Sequence, residues 1–359
     1  MSVATGDATV ARTPTVSIVV PVVRGDDDFR ACLASVARLE PPCDELVVAV
    51  DGGDESAAAL ARAEGARVVV LQTPGGPARA RNAAAHGAAG DILFFVDADV
   101  TVPPDAVARV RSAFADHPGH AAIVGSYDQS PAATNFLSQY KNLAHRFVHQ
   151  TSRDEACAFW GACGAIRREA FLRAGGYDER YTRASIEDIE LGSRLVASGE
   201  RIGMVKSLSV THLKRWTPGR LLRSEIFDRA VPWTRLILAS RRMPDDLNLR
   251  WSGRAGVVVA CALGVSLVAT PWSGWAWLAA ALFAALEILI DARLARFFLR
   301  ARGLIFTARA LACQWVHYLC CAAGFGLGAA AHLLGPRHRR PAAAVRARAG
   351  ALAGEPEPK

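Results

Sequence analysis

Residues 92–99, Ile-Leu-Phe-Phe-Val-Asp-Ala-Asp, constrain this chain more than any other stretch. Apolar residues without polar alternation describe a strand covered on both faces, as in a parallel sheet wrapped by helices. The strand ends in two carboxylates, Asp97 and Asp99, with one residue between them. Side chains at i and i+2 of a strand project to the same side. At the carboxyl edge of an open α/β sheet, that side faces the crevice where ligands bind. Two carboxylates so close repel unless a cation lies between them, and Mg²⁺ or Mn²⁺ typically joins carboxylates to the phosphates of a substrate. The plainer alternative is an acidic turn in which Asp99 caps a helix beginning near Pro103.

The pattern around this strand repeats. Val16–Val23, Glu45–Val50 and Arg67–Leu71 read as further strands, and Ala121–Ser126 as a fifth. Helical spacing runs over Phe29–Leu39, Glu55–Glu64, Pro77–Ala89 and Pro104–Ala115. Strands alternating with helices of this length predict an α/β fold built on a parallel sheet. The pattern then changes. Thr134–Gln150 reads as an amphipathic helix with Phe136, Tyr140, Leu143 and Phe147 on one side, followed by a Gly-rich piece, residues 159–165. Helices are expected from Arg168 to Gly175-Gly176 and over Glu187–Ala197. Leu221–Arg241 reads as one long helix that interleaves Arg with aromatic residues, suited to a membrane surface.

Much of the apolar content lies near the C-terminus. From Ala255 to Leu286 there are 32 residues without a charge, divided by Pro271-Trp272-Ser273-Gly274, and a second uncharged run extends from Ala310 to Pro336. Runs of this length predict membrane spans, two or three helices within 251–336. The formal net charge is +8, and Arg residues flank the apolar runs. They are Arg241, Arg242, Arg250 and Arg254 before, Arg293, Arg296, Arg300 and Arg302 between, and Arg337, Arg339 and Arg340 after. Placed there, they point to a cytoplasmic membrane face and not to nucleic acid. The Pro271 turn is expected outside and the basic loop around Arg296 inside. The basic tail is expected inside as well, which a single third span does not allow unless the last segment is re-entrant or interfacial. The eight cysteines include no C-x-x-C pair and read as small core residues in a reducing compartment. The first fifteen residues carry no apolar core of a secretory signal. Residues 1–14 and 337–359 are expected to be disordered.

Asp51 and the Asp97/Asp99 pair end separate strands of one sheet, so all should gather at one edge. Asp51 either accepts hydrogen bonds from a ligand's polar ring edge or belongs to the Gly52-Gly53 turn. Arg79, Arg81 and Asn82 open a helix after Gly75-Gly76-Pro77. A helix start bearing guanidinium groups suits an anion such as phosphate, or is simply a solvated basic turn. These pieces recur in a definite order: Ser17-Ile18-Val19-Val20-Pro21, Glu45 through Asp51, Ala80-Arg81-Asn82, and Phe95-Val96-Asp97-Ala98-Asp99. Gly161-Ala162-Cys163-Gly164-Ala165, Gly175-Gly176-Tyr177-Asp178-Glu179 and Glu187-Asp188-Ile189-Glu190-Leu191 follow. Over about residues 15–216 the chain resembles the family 2 glycosyltransferases, inverting enzymes with the GT-A fold, a Rossmann-like mixed α/β sheet.

The resemblance implies that Pro21, Asp51 and Asn82 surround the nucleotide, with Arg79 on its phosphate side. Asp97 and Asp99 become the D-x-D pair that holds a nucleotide-diphosphate sugar through a divalent cation, Mn²⁺ or Mg²⁺. Asp188 becomes the catalytic base, positioned by Glu187. Trp160 and Gly161 line the sugar and acceptor side. At a helix start, Asp188 is otherwise a first-turn carboxylate favoured by the helix dipole. Two departures stand out. Gly52 occupies a position where many members carry a second Asp. His212-Leu213-Lys214-Arg215-Trp216 replaces the Gln-x-x-Arg-Trp of processive members. Arg215 remains available for diphosphate and Trp216 for an acceptor sugar, while His212 is either a third metal ligand or structural.

These features describe a GT-A domain over 15–217, an amphipathic interfacial segment over 218–250 and a membrane region over 251–336. The expected activity is sugar transfer to a lipid or lipid-linked acceptor at the inner (plasma) membrane, with the catalytic domain cytoplasmic. The alternatives are a processive polysaccharide synthase and an inactive membrane scaffold of the same fold.

Overall fold

The computed structural model describes residues 12–334, apart from the side chain of Asn248. The basic tail with Arg337, Arg339 and Arg340, and most of the N-terminal segment, lie outside the described residues.

The first unit alternates as its periodicity predicts. It comprises β1 (Val16–Val22), α1 (Asp27–Val36), β2 (Glu45–Asp51), α2 (Glu55–Ala63), β3 (Arg67–Leu71), α3 (Pro77–Gly87) and β4 (Ile92–Val96). A short β5 (Val100–Thr101), α4 (Ala106–Asp116) and β6 (His120–Tyr127) follow. β1 pairs in parallel with both β2 and β4, and β2 with β3. Each of these strands is covered on both faces. Along β1, Val16, Ile18 and Val20 enter one core layer with Phe29 and Leu33. Val19 enters the opposite layer with Ala80, Ala84 and Phe171. Asp26 and Asp54 cap α1 and α2 by accepting from Phe29 N at 3.1 Å and Ala57 N at 2.8 Å.

The second half completes the sheet in the opposite sense. It adds α5 (Phe136–Thr151), β7 (Glu155–Ala156), β8 (Cys163–Arg167), α6 (Arg168–Arg173), α7 (Glu187–Ala197) and β9 (Arg201–His212). Among the described residues the strand order is β3-β2-β1-β4-β8-β6-β9-β5, with β7 pairing β9. β8 runs antiparallel between β4 and β6. The sheet is therefore mixed. The Gly-rich stretch read without a strand contains β8, and β9 falls where no strand was expected. Gly164 explains the first, since a Cβ there would stand 2.4 Å from Trp160 O. The strand needs glycine for that approach, and so loses the apolar run that marks its neighbours.

The C-terminal part differs in detail from the sequence expectation. The helix expected over Leu221–Arg241 is a continuous helical path of three windings: α8 (Pro218–Arg223), a π-helical stretch (Ser224–Ala230) and α9 (Val231–Ser240). It ends where Arg241 adopts φ +54°. α10 (Trp251–Ala269) and α11 (Gly274–Ile290) pack as a hairpin around Pro271. α12 (Ala292–Leu334) is broken at Gly303, φ +81°. The basic stretch around Arg296, expected as a loop, is thus the helical first arm of α12. It is amphipathic and docks on α5, where Phe298 packs with Tyr140 and Leu143, and Arg302 donates to Gln139 Oε1 at 2.9 Å and Gln129 O at 2.7 Å. Among the described residues α10 and α12 are long and apolar enough to cross a membrane, and α11 is shorter at 17 residues. Val265 and Trp275 are 71% and 79% exposed on this unit.

α7 meets the sheet through Gly192, where an added Cβ would lie 2.1 Å from Phe159 N. No side-chain rotation relieves a clash with backbone. Gly192→Ala should therefore cost about 1–3 kcal/mol and lower the melting temperature by several degrees. An unchanged melting temperature would refute this close approach.

Candidate active site

The topology collects the acidic residues at one edge. β1, β2 and β4 are parallel, so Pro21 near the end of β1, Asp51 at the end of β2 and Asp97 just past β4 share their carboxyl edge. β8 runs the other way, with Cys163 opposite Val96, which brings Gly161 to the same edge. β9 ends there too, and its His212 pairs with Val100 beside Asp99.

At the centre lies Arg81, on the first turns of α3 and buried. Its Nη2 donates to Asp97 Oδ1 at 2.6 Å and its Nη1 to Glu187 Oε1 at 2.9 Å. Its guanidinium also stands 5.3 Å from the centre of the Tyr177 ring. Burial acts against the Arg81 charge, but Asp97 and the other neighbours outweigh it and hold the group above its ordinary range. Gly161 makes room, since a Cβ there would be 3.1 Å from Arg81 Cζ. The sequence reading placed Arg81 beside an anion site but gave it no partner.

Glu187 and Asp188 open α7. Glu187 is buried, and its Oε2 accepts from Ser185 N at 2.8 Å. Asp188 is half-buried. Its Oδ2 accepts from Gly161 N at 3.1 Å and its Oδ1 from Ile189 N at 2.7 Å. Burial, reinforced by the neighbouring Glu187 charge, pushes the Asp188 carboxyl up to about 6. That is a carboxylate still ionised at neutral pH but more basic than usual, as a proton acceptor requires.

The donor set on the other side fits a cation that arrives with a diphosphate. Among the described residues no three His, Cys, Asp or Glu side chains are grouped to hold a metal by themselves. Asp99 Oδ2 and His212 Nε2 stand 3.5 Å apart, a separation that two ligands at about 2.1 Å from one ion can span. Arg81 takes one oxygen of Asp97. Mg²⁺-type ions commonly bind through one or two carboxylates and complete their shell with phosphates and water. Burial pushes the Asp99 carboxyl up, but the hydrogen bond and charge of His212, with Lys214, leave it below its usual value. Asp99 caps no helix: α4 begins at Ala106, and the Asp99 carbonyl accepts from Leu213 N at 2.8 Å. Tyr127 stacks on His212 at 4.8 Å and meets Trp160 edge-on at 4.7 Å.

Other expected residues are engaged within the protein. Asp51 accepts from Gly75 N and Gly76 N, both at 2.8 Å, and so fixes the turn into α3. Gly76 there adopts φ +87° beneath Thr182 O. Asn82 is buried and bridges to Tyr177, donating to its carbonyl at 2.9 Å and accepting from its N–H at 2.8 Å. It ties α3 to the Gly176-Tyr177 turn and also donates to Glu179 Oε1 at 2.9 Å. Arg79 reaches back to Thr73 Oγ1 at 3.2 Å. Arg215 is exposed. Trp216 is buried, with its backbone N–H donating to Ser138 Oγ at 2.8 Å and Lys214 Nζ 4.7 Å from its ring centre.

Replacing Arg81 by Met leaves Glu187 buried without its counter-charge. Arg81→Met should lower stability by about 3–5 kcal/mol in chemical denaturation and weaken nucleotide-sugar binding. A loss below about 1 kcal/mol would show that the bridge is dispensable.

Comparison with known proteins agrees with this geometry. Residues 17–174 match the family model described as glycosyl transferase family 2. The chain is 31% identical over 214 residues to the succinoglycan biosynthesis protein ExoA of Rhizobium meliloti (strain 1021), covering 55% of this chain and 63% of that protein. It is 33% identical over 101 residues to N-acetylglucosaminyl-diphospho-decaprenol L-rhamnosyltransferase of Mycobacterium tuberculosis (strain ATCC 25618 / H37Rv), covering 28% and 30% respectively. The chain thus spans less than two thirds of these relatives. In fold, it is similar to the mannosyltransferase PcManGT from Pyrobaculum calidifontis in complex with GDP-Man and Mn²⁺, with a TM-score of 0.54, 16% identity and 88% coverage of each chain. Together with the mixed sheet and the ordered motifs, the family-model match identifies residues 17–174 as a glycosyl transferase family 2 domain.

Proposed function

We propose that the protein is an inverting glycosyltransferase that moves a sugar from a nucleotide-diphosphate sugar to a lipid or lipid-linked acceptor at a membrane. The observation that carries this reading is the buried Arg81 bridge between Asp97 and Glu187. It joins the donor-side carboxylate to the residue preceding Asp188, so that donor site and base form one connected unit.

Direct displacement with inversion needs a proton acceptor on the acceptor side and charge stabilisation on the leaving side. Asp188 takes the first role. Gly161 N–H fixes one carboxylate oxygen, and Glu187 beside it raises the basicity. Asp97, Asp99 and His212 would hold the divalent cation, which when bound offsets the charge of the departing diphosphate. Pro21, Asp51 and Arg79 border the nucleotide side of the same edge. Trp160 and Gly161 border the acceptor side, and exposed Arg215 is available to the diphosphate. The PcManGT structure, with its GDP-Man and Mn²⁺, supports a cation and a nucleotide sugar on this fold. The relative named for N-acetylglucosaminyl-diphospho-decaprenol supports a lipid-linked acceptor.

The outward apolar surfaces of α10 and α12 support membrane anchoring. The first arm of α12 brings Arg296, Arg300 and Arg302 to the side of the catalytic domain, which supports a cytoplasmic site at the inner membrane.

Binding of a nucleotide-sugar panel, read by thermal shift with Mn²⁺ and with chelator, tests the donor. One donor should stabilise the protein only with metal, and Asp99→Asn should abolish that shift. No shift with any donor would overturn the assignment.

Asp188→Asn should reduce transfer at least about 1,000-fold while donor binding persists. The base must be ionised, so wild-type kcat/KM should fall as pH drops through about 6 and level off above it. Full transfer by the variant, or a flat profile between pH 5 and 7, would remove Asp188 from the base role. A ladder of products instead of one added sugar would favour processive synthesis.

A further inference from the structure

A cavity of about 480 Å³ lies where the catalytic domain meets the membrane unit, between α5, the helical path 224–240, α10 and α12. Its wall has two characters. One end carries Lys141, His145, Glu225, Arg229 and His317, and the other Trp233, Ile237, Met243, Val257 and Val258. The apolar end is open, because Val258 is 70% exposed on the outward surface of α10.

Most charges at the polar end are already matched. Lys141 Nζ pairs with Glu225 Oε1, and His317 Nδ1 stands 2.6 Å from Glu225 Oε2. Arg250 donates to Thr151, and Arg254 to the carbonyls of Leu249 and Pro244. Asp291 accepts from Tyr318 OH at 2.9 Å. The Arg229 guanidinium has no hydrogen-bond or ion-pair partner among the described residues. Glu225, one turn back on the same helical path, is shared between two other groups. The chamber therefore presents an uncommitted guanidinium at the head of an apolar slot that opens toward lipid. Guanidinium matches phosphate oxygens in geometry as well as charge.

The same Arg229 adjoins the catalytic carboxylates. The carbonyl of its neighbour Asp228 accepts from Ser185 Oγ at 2.7 Å, and Ser185 N donates to Glu187. The Arg229 charge acts on Asp188, where it opposes the rise caused by burial, and also on His145 and Lys141. A phosphate on Arg229 would cancel that opposition and make Asp188 more basic once the acceptor is seated. All of this falls on the π-helical winding, a form often found at functional sites.

We propose that this cavity seats the phosphate-bearing head of a long-chain lipid acceptor. Arg229 is its anion contact, and the chain leaves between α9 and α10 past Ile237 and Val258. The proposal rests on the transferase reading above and names where its acceptor sits.

The test uses the full chain in detergent, with radiolabelled farnesyl diphosphate as probe and farnesol and inorganic pyrophosphate as competitors. Wild type should bind farnesyl diphosphate. Arg229→Gln should weaken binding at least tenfold, and Arg229→Lys should restore it to within about threefold, since the charge returns. Ile237→Glu, which places a carboxylate in the chain path, should weaken it as well. This keeps the claim testable if Arg229→Gln does not fold by its melting curve. Equal competition by farnesol would overturn the anion contact, and equal competition by pyrophosphate would overturn the lipid slot. Unchanged affinity in both folded variants would overturn the site. The transferase reading fails separately: wild type that binds farnesyl diphosphate but no nucleotide sugar would retain the lipid site and lose the donor. Donor binding without farnesyl diphosphate binding would do the reverse.

Discussion

The buried guanidinium of Arg81 is the contact on which the rest of the site depends. A cation this deep persists only when counter-charges surround it. Asp97 from the end of β4 and Glu187 from the start of α7 supply them. The pairing fixes how far α3, β4 and α7 stand from one another. Gly161 and Gly192 are the small residues that permit this spacing, one under the guanidinium and one where α7 meets the Phe159 backbone. Asn82, one residue on, clamps α3 to the Tyr177 turn and braces the same corner. The cluster sets the two carboxylates of the Glu187-Asp188 pair apart in role. Glu187 is paired with Arg81 and tied to Ser185, while Asp188 is left with backbone donors and is pushed up by burial.

The C-terminal helices are joined to this cluster through specific contacts and not by a linker alone. The π-helical winding touches the catalytic side through Asp228 and Ser185, and the cavity side through Glu225 and Arg229. Gly324 and Gly328 of α12 let that helix approach Ala230 and Thr234, where an added Cβ would stand 2.3 Å and 2.7 Å from its neighbours. From the other side, Phe298 and Arg302 hold the first arm of α12 against α5. The proposed transfer to a membrane-bound acceptor would need such coupling, because the base must meet a hydroxyl whose depth is set by lipid.

Much of the fold was legible in order. Strands such as Ile18–Val20 and Leu93–Val96 are apolar without alternation, and residues covered on both faces must be so. The mixed α/β sheet and the family 2 match over residues 17–174 agree with those strands and the ordered motifs. β9 escaped notice although Ile202, Met204, Leu208 and Val210 are its buried residues. Lys206 stands at the next position of that alternation and interrupts it, and the register with β6 shifts twice. Asn82 was read from its motif as a nucleotide neighbour, and in the structure it is committed to Tyr177. The basic stretch after α11 was read as a loop because its Arg residues were weighed as charge. Its partners Tyr140 and Leu143, far back in the chain, make it a packed helix.

The sequence alone determined the alternation of strands and helices, the carboxylates at the strand ends and the apolar C-terminal helices. Each is a matter of local periodicity, residue type or uncharged length, and needs no knowledge of what lies across the fold. Only the tertiary structure decided which carboxylates are paired with a guanidinium and that Asp188 is buried without one. Arg81 meets Asp97 across 16 residues of chain and Glu187 across 106. Only the tertiary structure, too, left Arg229 uncommitted at the head of an apolar slot. Ionisation and binding depend on the sum of neighbours within a few ångströms, and that sum exists only once distant segments have packed together.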